Sequence, residues 1–447
     1  MTTVELKKIA CDAIDAHRND IIALGERIAA EPELGFKEFK TAEKIKAVLD
    51  DLKLSYKDQV AITGIVVPLK GRGSKMKVAI VGELDAVVVP SHPMADPVTG
   101  AAHCCGHNVQ SAAVAGVAYA LAATNIMEYL DGDIALMFLP AEEGVELEYR
   151  KNLIDQGKLS MLGGKPKFIV RGEFNDVDVM IMQHTDCTEG GASRSCKATA
   201  GGTNGSLGVI AKTVRYIGKE AHGARPYEGI NALNAAELGL MGIHAQRETF
   251  RDEDNIRIHP IITKGGDLVN VVPADVRIET YVRGSNNAAI ADASEKVNRA
   301  LRAGAMAIGA ECEITEMPIC MSPVESQELK DICYENLCYV LGSDRCVRNG
   351  DGLCSKASDV SNIIPTVQMM IGGASGTLHG SDFKIADPEL AYIGAAKALI
   401  CSAIDLLVNH AEKGTYVKEH FHAPITKDEY IRDWCKLGDQ SGFAIHL

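Results

Sequence analysis

The sequence predicts an α/β protein of two domains. A larger domain on a mixed, mainly parallel sheet is interrupted by an inserted α+β domain of ferredoxin-like order. Three observations carry that prediction. The chain has 447 residues, beyond the roughly 250–300 at which a single hydrophobic core stops growing. Short apolar runs alternate with helical periodicities through residues 1–196 and again through 318–447, as in proteins built on a mainly parallel sheet. Between them, residues 197–317 read strand, helix, strand, strand, helix, strand, which is the split βαβ order.

The elements follow in turn. Residues 3–30 place Ile9, Ile14, Ile21, Leu24 and Ile28 at mostly helical spacings, and Pro32 and Gly35 close that helix. Thr41–Asp50 reads as a second helix, and Ala61–Leu69 and Met76–Gly82 as strands around the turn Lys70-Gly71-Arg72-Gly73. His107–Ala123 is an Ala-rich helix whose small side chains permit close packing on a sheet. Asp133–Leu139 and Val177–Gln183 are nearly unbroken apolar runs, as buried parallel strands are. The first runs into Pro140-Ala141-Glu142-Glu143-Gly144, and His184 follows the second. The insertion opens with a Gly-rich stretch at 201–208. Strands are expected at Val209–Ile217, Arg257–Thr263, Asp275–Arg283 and Glu311–Met317, and helices at Gly229–Arg247 and Asn287–Gly309. Val324–Gly342 and Asp387–Val408 read as helices around a strand-like Asn362–Ile371. The polar tail from about Ala411 carries His420, His422 and His446, and suggests one added helix at Lys427–Leu437.

Composition narrows the function. Hydrophobic residues are 46% and charged residues 24%, which excludes a disordered chain or a fibre. The 46 Lys+Arg against 60 Asp+Glu leave a net charge of −14, so neither nucleic acid nor an anionic bilayer is an expected partner. The N-terminal stretch has no apolar run of signal-peptide type. The expectation is therefore a cytoplasmic protein whose 13 cysteines are mostly free, buried thiols.

Asp85, Glu142/Glu143 and His184 each follow an apolar run, and ligands of such sheets gather at the carboxyl ends of the strands. In His103-Cys104-Cys105-Gly106-His107 a Cys and a His stand two apart around a Gly, so a tight loop brings both to one metal. His379 lies in a Gly/Ser loop. The candidate ligands are thus Cys105, His107, Glu143, His184 and His379, a donor set that suits two divalent ions, Zn²⁺, Mn²⁺ or Co²⁺. Glu142 would stay free as general base and acid, taking a proton from water activated by the cation and passing it to an amine leaving group. The competing reading of the acidic pair is a cap on the next helix. Asp85 is expected to hydrogen-bond a liganding His from behind; the competing reading is a turn Asp. Cys104 has no assigned role.

These segments resemble the M20 metallopeptidase and amidohydrolase family. Within it they are similar to the branch of aminobenzoyl-glutamate hydrolase subunits, aminoacylase-like dipeptidases and N-acyl-amino-acid amidohydrolases. The resemblance rests on Glu31-Pro32-Glu33-Leu34-Gly35-Phe36 with Glu38 and Thr41, on Gly82-Glu83-Leu84-Asp85-Ala86, on Cys105-Gly106-His107, on Pro140–Gly144, and loosely on Ala357–Ser361 with Pro365. It covers about residues 5–405, and as a set these motifs are specific.

The resemblance implies a metal-dependent hydrolase of N-acyl amino acids, aminobenzoyl-glutamate-like conjugates or dipeptides. It implies that Cys105 bridges two metals and that residues 197–317 form a lid or dimerisation domain. It implies that His222 stabilises the tetrahedral oxyanion and, in such dimers, reaches the partner's site. Asn270 and Arg283 would bind a substrate carboxylate; a turn Asn and an exposed strand Arg are the competing readings. A homodimer or higher homo-oligomer is expected. The second Cys at 104, Asn108 after His107, and the tail beyond about 408 depart from the pattern. The alternatives are an aminopeptidase or dipeptidase of the same fold on free-amine peptides, and a non-catalytic binding or assembly subunit.

Overall fold

The computed structural model of the protein describes residues 1–188, 198–199, 207–348 and 357–435. The Gly-rich stretch expected at 201–208 and the tail histidine His446 fall mostly or wholly outside the described residues. The chain divides into two units: Met1–Asn204 with Val324–Gly352 and Val360–Pro424, and Gly205–Pro323 with Leu353–Asp359 and Ile425–Leu447.

The first unit is built on a mixed sheet. Its order is Lys57–Val60, Gly64–Leu69, Asp133–Leu139, Lys77–Glu83, Val179–Thr188 and Thr366–Ser375, with short strands beyond. The four inner strands, from Asp133–Leu139 to Thr366–Ser375, run parallel, and the two outer ones add antiparallel. Every residue of Asp133–Leu139 is buried, because helices cover both faces of such a sheet. The helix His107–Ala123 lies in the core and packs between Arg18–Ala30 and Ala395–Leu407. Gly116 makes that approach possible: a Cβ there would sit 2.9 Å from the Ala396 Cβ and 3.1 Å from Ile21. The stretch Glu389–Leu407 is apolar and long enough to cross a membrane, yet 94% of its most apolar window is buried inside the protein. It is a core helix.

The second unit holds a five-stranded antiparallel sheet. Asp275–Gly284 pairs with Gly208–Ile217 along its full length, and Gly208–Ile217 pairs on its other side with Glu311–Cys320. The helices Ala232–Ala245 and Asn287–Ile308 pack on each other and on this sheet. Burial alternates along Asp275–Gly284, as a sheet covered on one face requires.

Several elements differ from expectation. The first helix is two, Thr3–Ala16 and Arg18–Ala30, broken at His17, whose ring stacks on Tyr119 at 4.7 Å. The strand expected to end at Gln183 continues to Thr188, so His184 lies inside it, paired in parallel register with Met370. The strand expected from Asn362 begins at Thr366, just after Pro365, which has no N–H to give a ladder. The tail holds a helix at Glu412–His420 that polarity concealed. Its Gly414 leaves no room for a side chain against Met76.

Candidate metal centre

The carboxyl ends of the parallel strands converge on one place. Lys77–Glu83 ends on Glu83, and Asp85 follows, fully buried. Asp133–Leu139 leads through Pro140 to Glu142 and Glu143. His379 comes from the turn after Thr366–Ser375, and its backbone N–H donates to the Cys104 carbonyl at 2.9 Å. That bond ties the His379 loop to the cysteine loop. Gly106 precedes the helix His107–Ala123 with φ +82°, a conformation that favours glycine. A Cβ there would stand 2.8 Å from Thr185. Glycine therefore lets the Cys105–His107 turn sit directly on the strand that carries His184.

Two histidines are oriented by their outer nitrogens. His107 Nδ1 donates to the Asp85 main-chain carbonyl at 2.7 Å, and His184 Nδ1 to the Thr185 carbonyl at 2.8 Å. In each neutral ring the proton is then on Nδ1 and the Nε2 lone pair is left for a metal. The rings stand edge to face, 6.0 Å apart. Cys105 Sγ lies 3.3 Å from His184 Nε2, and His379 Nε2 lies 3.2 Å from Glu143 Oε1. Donor atoms of Cys105, His107 and His184 all fall within 4.8 Å of one another, as do those of Cys105, Glu143 and His379, and of His107, Glu142 and Glu143. Cys105 belongs to two of these groups, so the donors form a dinuclear site.

The electrostatics fit cations. Burial raises the Cys105 thiol, but His107 and His184 pull it down further, to about 7. Burial lowers His184, and Cys105 outweighs that to set it at about 9. Hydrogen bonds to Cys105 and then Glu143 lift His379 to about 10. Each imidazole thus seeks a positive charge among the anions. Four carboxylates, of Glu83, Asp85, Glu142 and Glu143, and the Cys105 thiol gather here with the buried Lys165, a setting that favours cations. Soft thiolate, borderline imidazole and hard carboxylate together suit Zn²⁺, Mn²⁺ or Co²⁺.

Asp85 stands behind His107 and does more besides. Its main-chain oxygen takes the His107 N–H at 2.7 Å, and its carboxylate lies 3.4 Å from the same Nδ1. The carboxylate also accepts from the backbone N–H groups of Glu142, at 2.9 Å, and Glu143, at 2.8 Å. It therefore shapes the acidic loop.

Three supporting residues had no role assigned from the sequence, although Glu38 and Glu83 stand in its motifs. Glu38 is fully buried and accepts from Ala141 N at 2.7 Å and Thr63 Oγ1 at 2.6 Å. Burial, and then the charge of Asp85, push its carboxyl up to about 8. Glu83 and Lys165 form a buried ion pair. A Glu closing an apolar strand was a visible signal; Lys165, within the short helix Gly164–Arg171, gave none.

In the second unit His222 and Asn270 lie side by side. An isolated bridge pairs His222 with Val271, and Gly223 N donates to the Asn270 carbonyl at 2.9 Å. The Asn270 Nδ2 is 3.2 Å from His222 Nε2, and Ala224 N donates to His222 Nδ1 at 3.1 Å. Arg283, on the strand Asp275–Gly284, stacks over Tyr281 at 5.4 Å.

Paired three-donor groups sharing a thiolate, with a second carboxylate alongside, define a metal-dependent hydrolase. The chain belongs to peptidase family M20/M25/M40, whose model matches residues 79–401. It is 28% identical over 273 residues to an Arabidopsis thaliana protein described as an IAA-amino acid hydrolase ILR1-like 4, covering 59% of this chain and 56% of that one. It is 25% identical over 438 residues to a Mus musculus Xaa-Arg dipeptidase, covering 91% and 90%. Its fold matches a Bacillus subtilis dinuclear metal binding peptidase of the M20 family with a TM-score of 0.67 at 22% identity, covering 88% and 99%. The protein hydrolyses amide or peptide bonds in a metal-dependent reaction.

Proposed function

We propose that the substrate is an N-acyl amino acid, an aminobenzoyl-glutamate-like conjugate or a dipeptide, cleaved at the amide bond to the amino acid. The observation that carries this reading is the arrangement of Glu142 and Glu143. Asp85 clamps both backbone N–H groups, Glu143 faces His379, and Glu142 is half-buried at the edge of the cluster. Cys105, as the bridging residue, His107, Glu143, His184 and His379 would hold two divalent ions. Bound there, the ions would polarise the substrate carbonyl and make water acidic enough to deprotonate near neutral pH. Glu142 takes that proton and delivers it to the departing amine.

His222 stabilises the tetrahedral oxyanion. Asn270 and Arg283 anchor the substrate carboxylate, where a planar guanidinium gives orientation. Residues 197–317, with their strand and helix order of ferredoxin-like type, serve as lid and dimerisation domain on a catalytic domain of 1–196 and 318–447. The protein works as a cytoplasmic homodimer or higher homo-oligomer. The two enzymes described as an IAA-amino acid hydrolase and an Xaa-Arg dipeptidase support a bond to an amino acid as the scissile one.

The dipeptidase name favours a second reading, in which a free substrate α-amine is required. A panel of N-acyl amino acids and dipeptides, with and without Mn²⁺ or Zn²⁺, separates the two. Blocking the α-amine abolishes cleavage only under the second. Glu142→Gln is expected to lower kcat by about 10²–10⁴-fold, the usual worth of a general acid–base, with both metals retained. Full activity in that variant overturns the role of Glu142.

A further inference from the structure

A buried ion pair lies beside the donor cluster, and the reaction as proposed does not use it. The side chains of Glu83 and Lys165 are each only 2% exposed, and Lys165 Nζ binds Glu83 Oε1. The other oxygen, Oε2, accepts from Gln110 Nε2 at 2.8 Å and stands 3.1 Å from His107 Nε2. The backbone binds the same two elements. Glu83 N donates to Gln110 Oε1 at 3.2 Å, and Ser111 Oγ donates to the Glu83 carbonyl at 2.7 Å. Glu83 is therefore fixed from the end of its strand to the first turns of the helix that starts with His107.

That placement favours a positive charge at His107 Nε2. His107 Nδ1 already gives its N–H to the Asp85 carbonyl, so Nε2 is the nitrogen that faces the Glu83 oxygen 3.1 Å away, and a proton or a metal ion there is held by the carboxylate. His107 is also grouped with Cys105 and His184, and with Glu142 and Glu143. Glu83 itself is not in any of these groups, so it acts on the centre through His107. A buried carboxylate is costly on its own, and Lys165 offsets that cost.

We propose that Glu83 and Lys165 are positioning residues of the metal centre: Glu83 holds the His107 ring and favours a divalent cation at its Nε2, and Lys165 anchors Glu83 in the interior. The proposal rests on the metal-ligand reading given above.

The rival explanation is a purely structural ion pair, and a buried pair is often replaced by neutral residues without loss of stability. The full-length protein, stripped by chelator, is titrated with Zn²⁺ against a chromophoric competitor while thermal unfolding is followed separately. Wild type, Lys165→Met, Glu83→Gln and the double variant are compared. Lys165→Met alone is expected to lower Tm sharply, and the double variant to recover most of it. Zinc affinity at one of two sites should still fall about 10–100-fold in the double variant, as loss of an outer partner of a liganding His does. A double variant with wild-type affinity at both sites overturns the proposal and leaves the ligand set standing. A wild type that takes up no zinc, or a Cys105→Ala/His184→Ala protein that keeps two, overturns the ligand set itself. If the double variant does not fold, Glu83→Gln decides, because it keeps the volume and the Gln110 contact: unchanged affinity there also overturns the proposal.

Discussion

Asp85 tests whether the acidic loop is shaped from below. Its carboxylate is fully buried and receives two backbone N–H groups, from Glu142 at 2.9 Å and Glu143 at 2.8 Å. A hydrogen bond to a charged group contributes about 1.5–3 kcal/mol. Asp85→Ala removes two, so about 3–6 kcal/mol is expected to be lost, a large share of the roughly 5–15 kcal/mol of a typical domain. Asp85→Asn keeps one acceptor oxygen, and about half of that loss is expected. The loop also sets where Glu142 stands. Letting it drift by about 1 Å should lower kcat/KM on the order of 10²-fold.

The shorter contact to His107, at 2.7 Å, comes from the Asp85 main-chain oxygen, which both variants keep; the carboxylate contact at 3.4 Å is the weaker one, and Asp85→Asn keeps an oxygen for it. In Asp85→Asn, metal affinity should therefore fall far less than activity. Denaturant unfolding of the stripped protein, zinc titration and steady-state kinetics measure the three quantities. Asp85→Ala with wild-type stability and kcat/KM would refute the reasoning. A loss of zinc affinity in Asp85→Asn as large as the loss of activity would refute the division between carbonyl and carboxylate.

Two further outcomes can be checked. Gly106→Ala forces a side chain into a backbone at φ +82° and to within 2.8 Å of Thr185. Strain alone costs about 1–3 kcal/mol, and the displaced Cys105 should reduce zinc stoichiometry below wild type by elemental analysis; two tightly held ions in this variant would contradict the role of the turn. Glu38 has its carboxyl raised from 4.5 to about 8, chiefly by burial. The fold therefore favours the protonated form: the contribution is complete below pH 4.5 and is lost as pH rises through about 8. In the metal-stripped protein Glu38→Gln should gain stability relative to wild type across that window, and a constant difference in denaturation midpoint from pH 5 to 8 would exclude it.

Much of the fold was legible because periodicity and strand burial are local. His107–Ala123 and Asp133–Leu139 occupy the ranges that their patterns predict. The end of Val179–Thr188 was not legible, since a strand that enters a site changes from apolar to polar residues while its ladder continues with Thr366–Ser375. The break at His17 depends on a ring from another helix, Tyr119. The helix Glu412–His420 forms where Val417 and Gly414 meet the core, and two buried residues in a polar tail leave no periodic signal.

The same division holds at the site. The order of residue types along the chain was enough to propose Cys105, His107, Glu143, His184 and His379 as ligands, because metal ligands are Cys, His or carboxylate, and the fold brings their donor atoms together. Tertiary structure alone decided how those groups are held. It put main-chain carbonyls of Asp85 and Thr185 on the two imidazoles, turned the Asp85 carboxylate onto the acidic loop, and paired Glu83 with Lys165 across 82 positions of chain. Hydrogen bonds and ion pairs of that kind act over about 3 Å in space, and no spacing in one dimension encodes which distant residues will meet at that range.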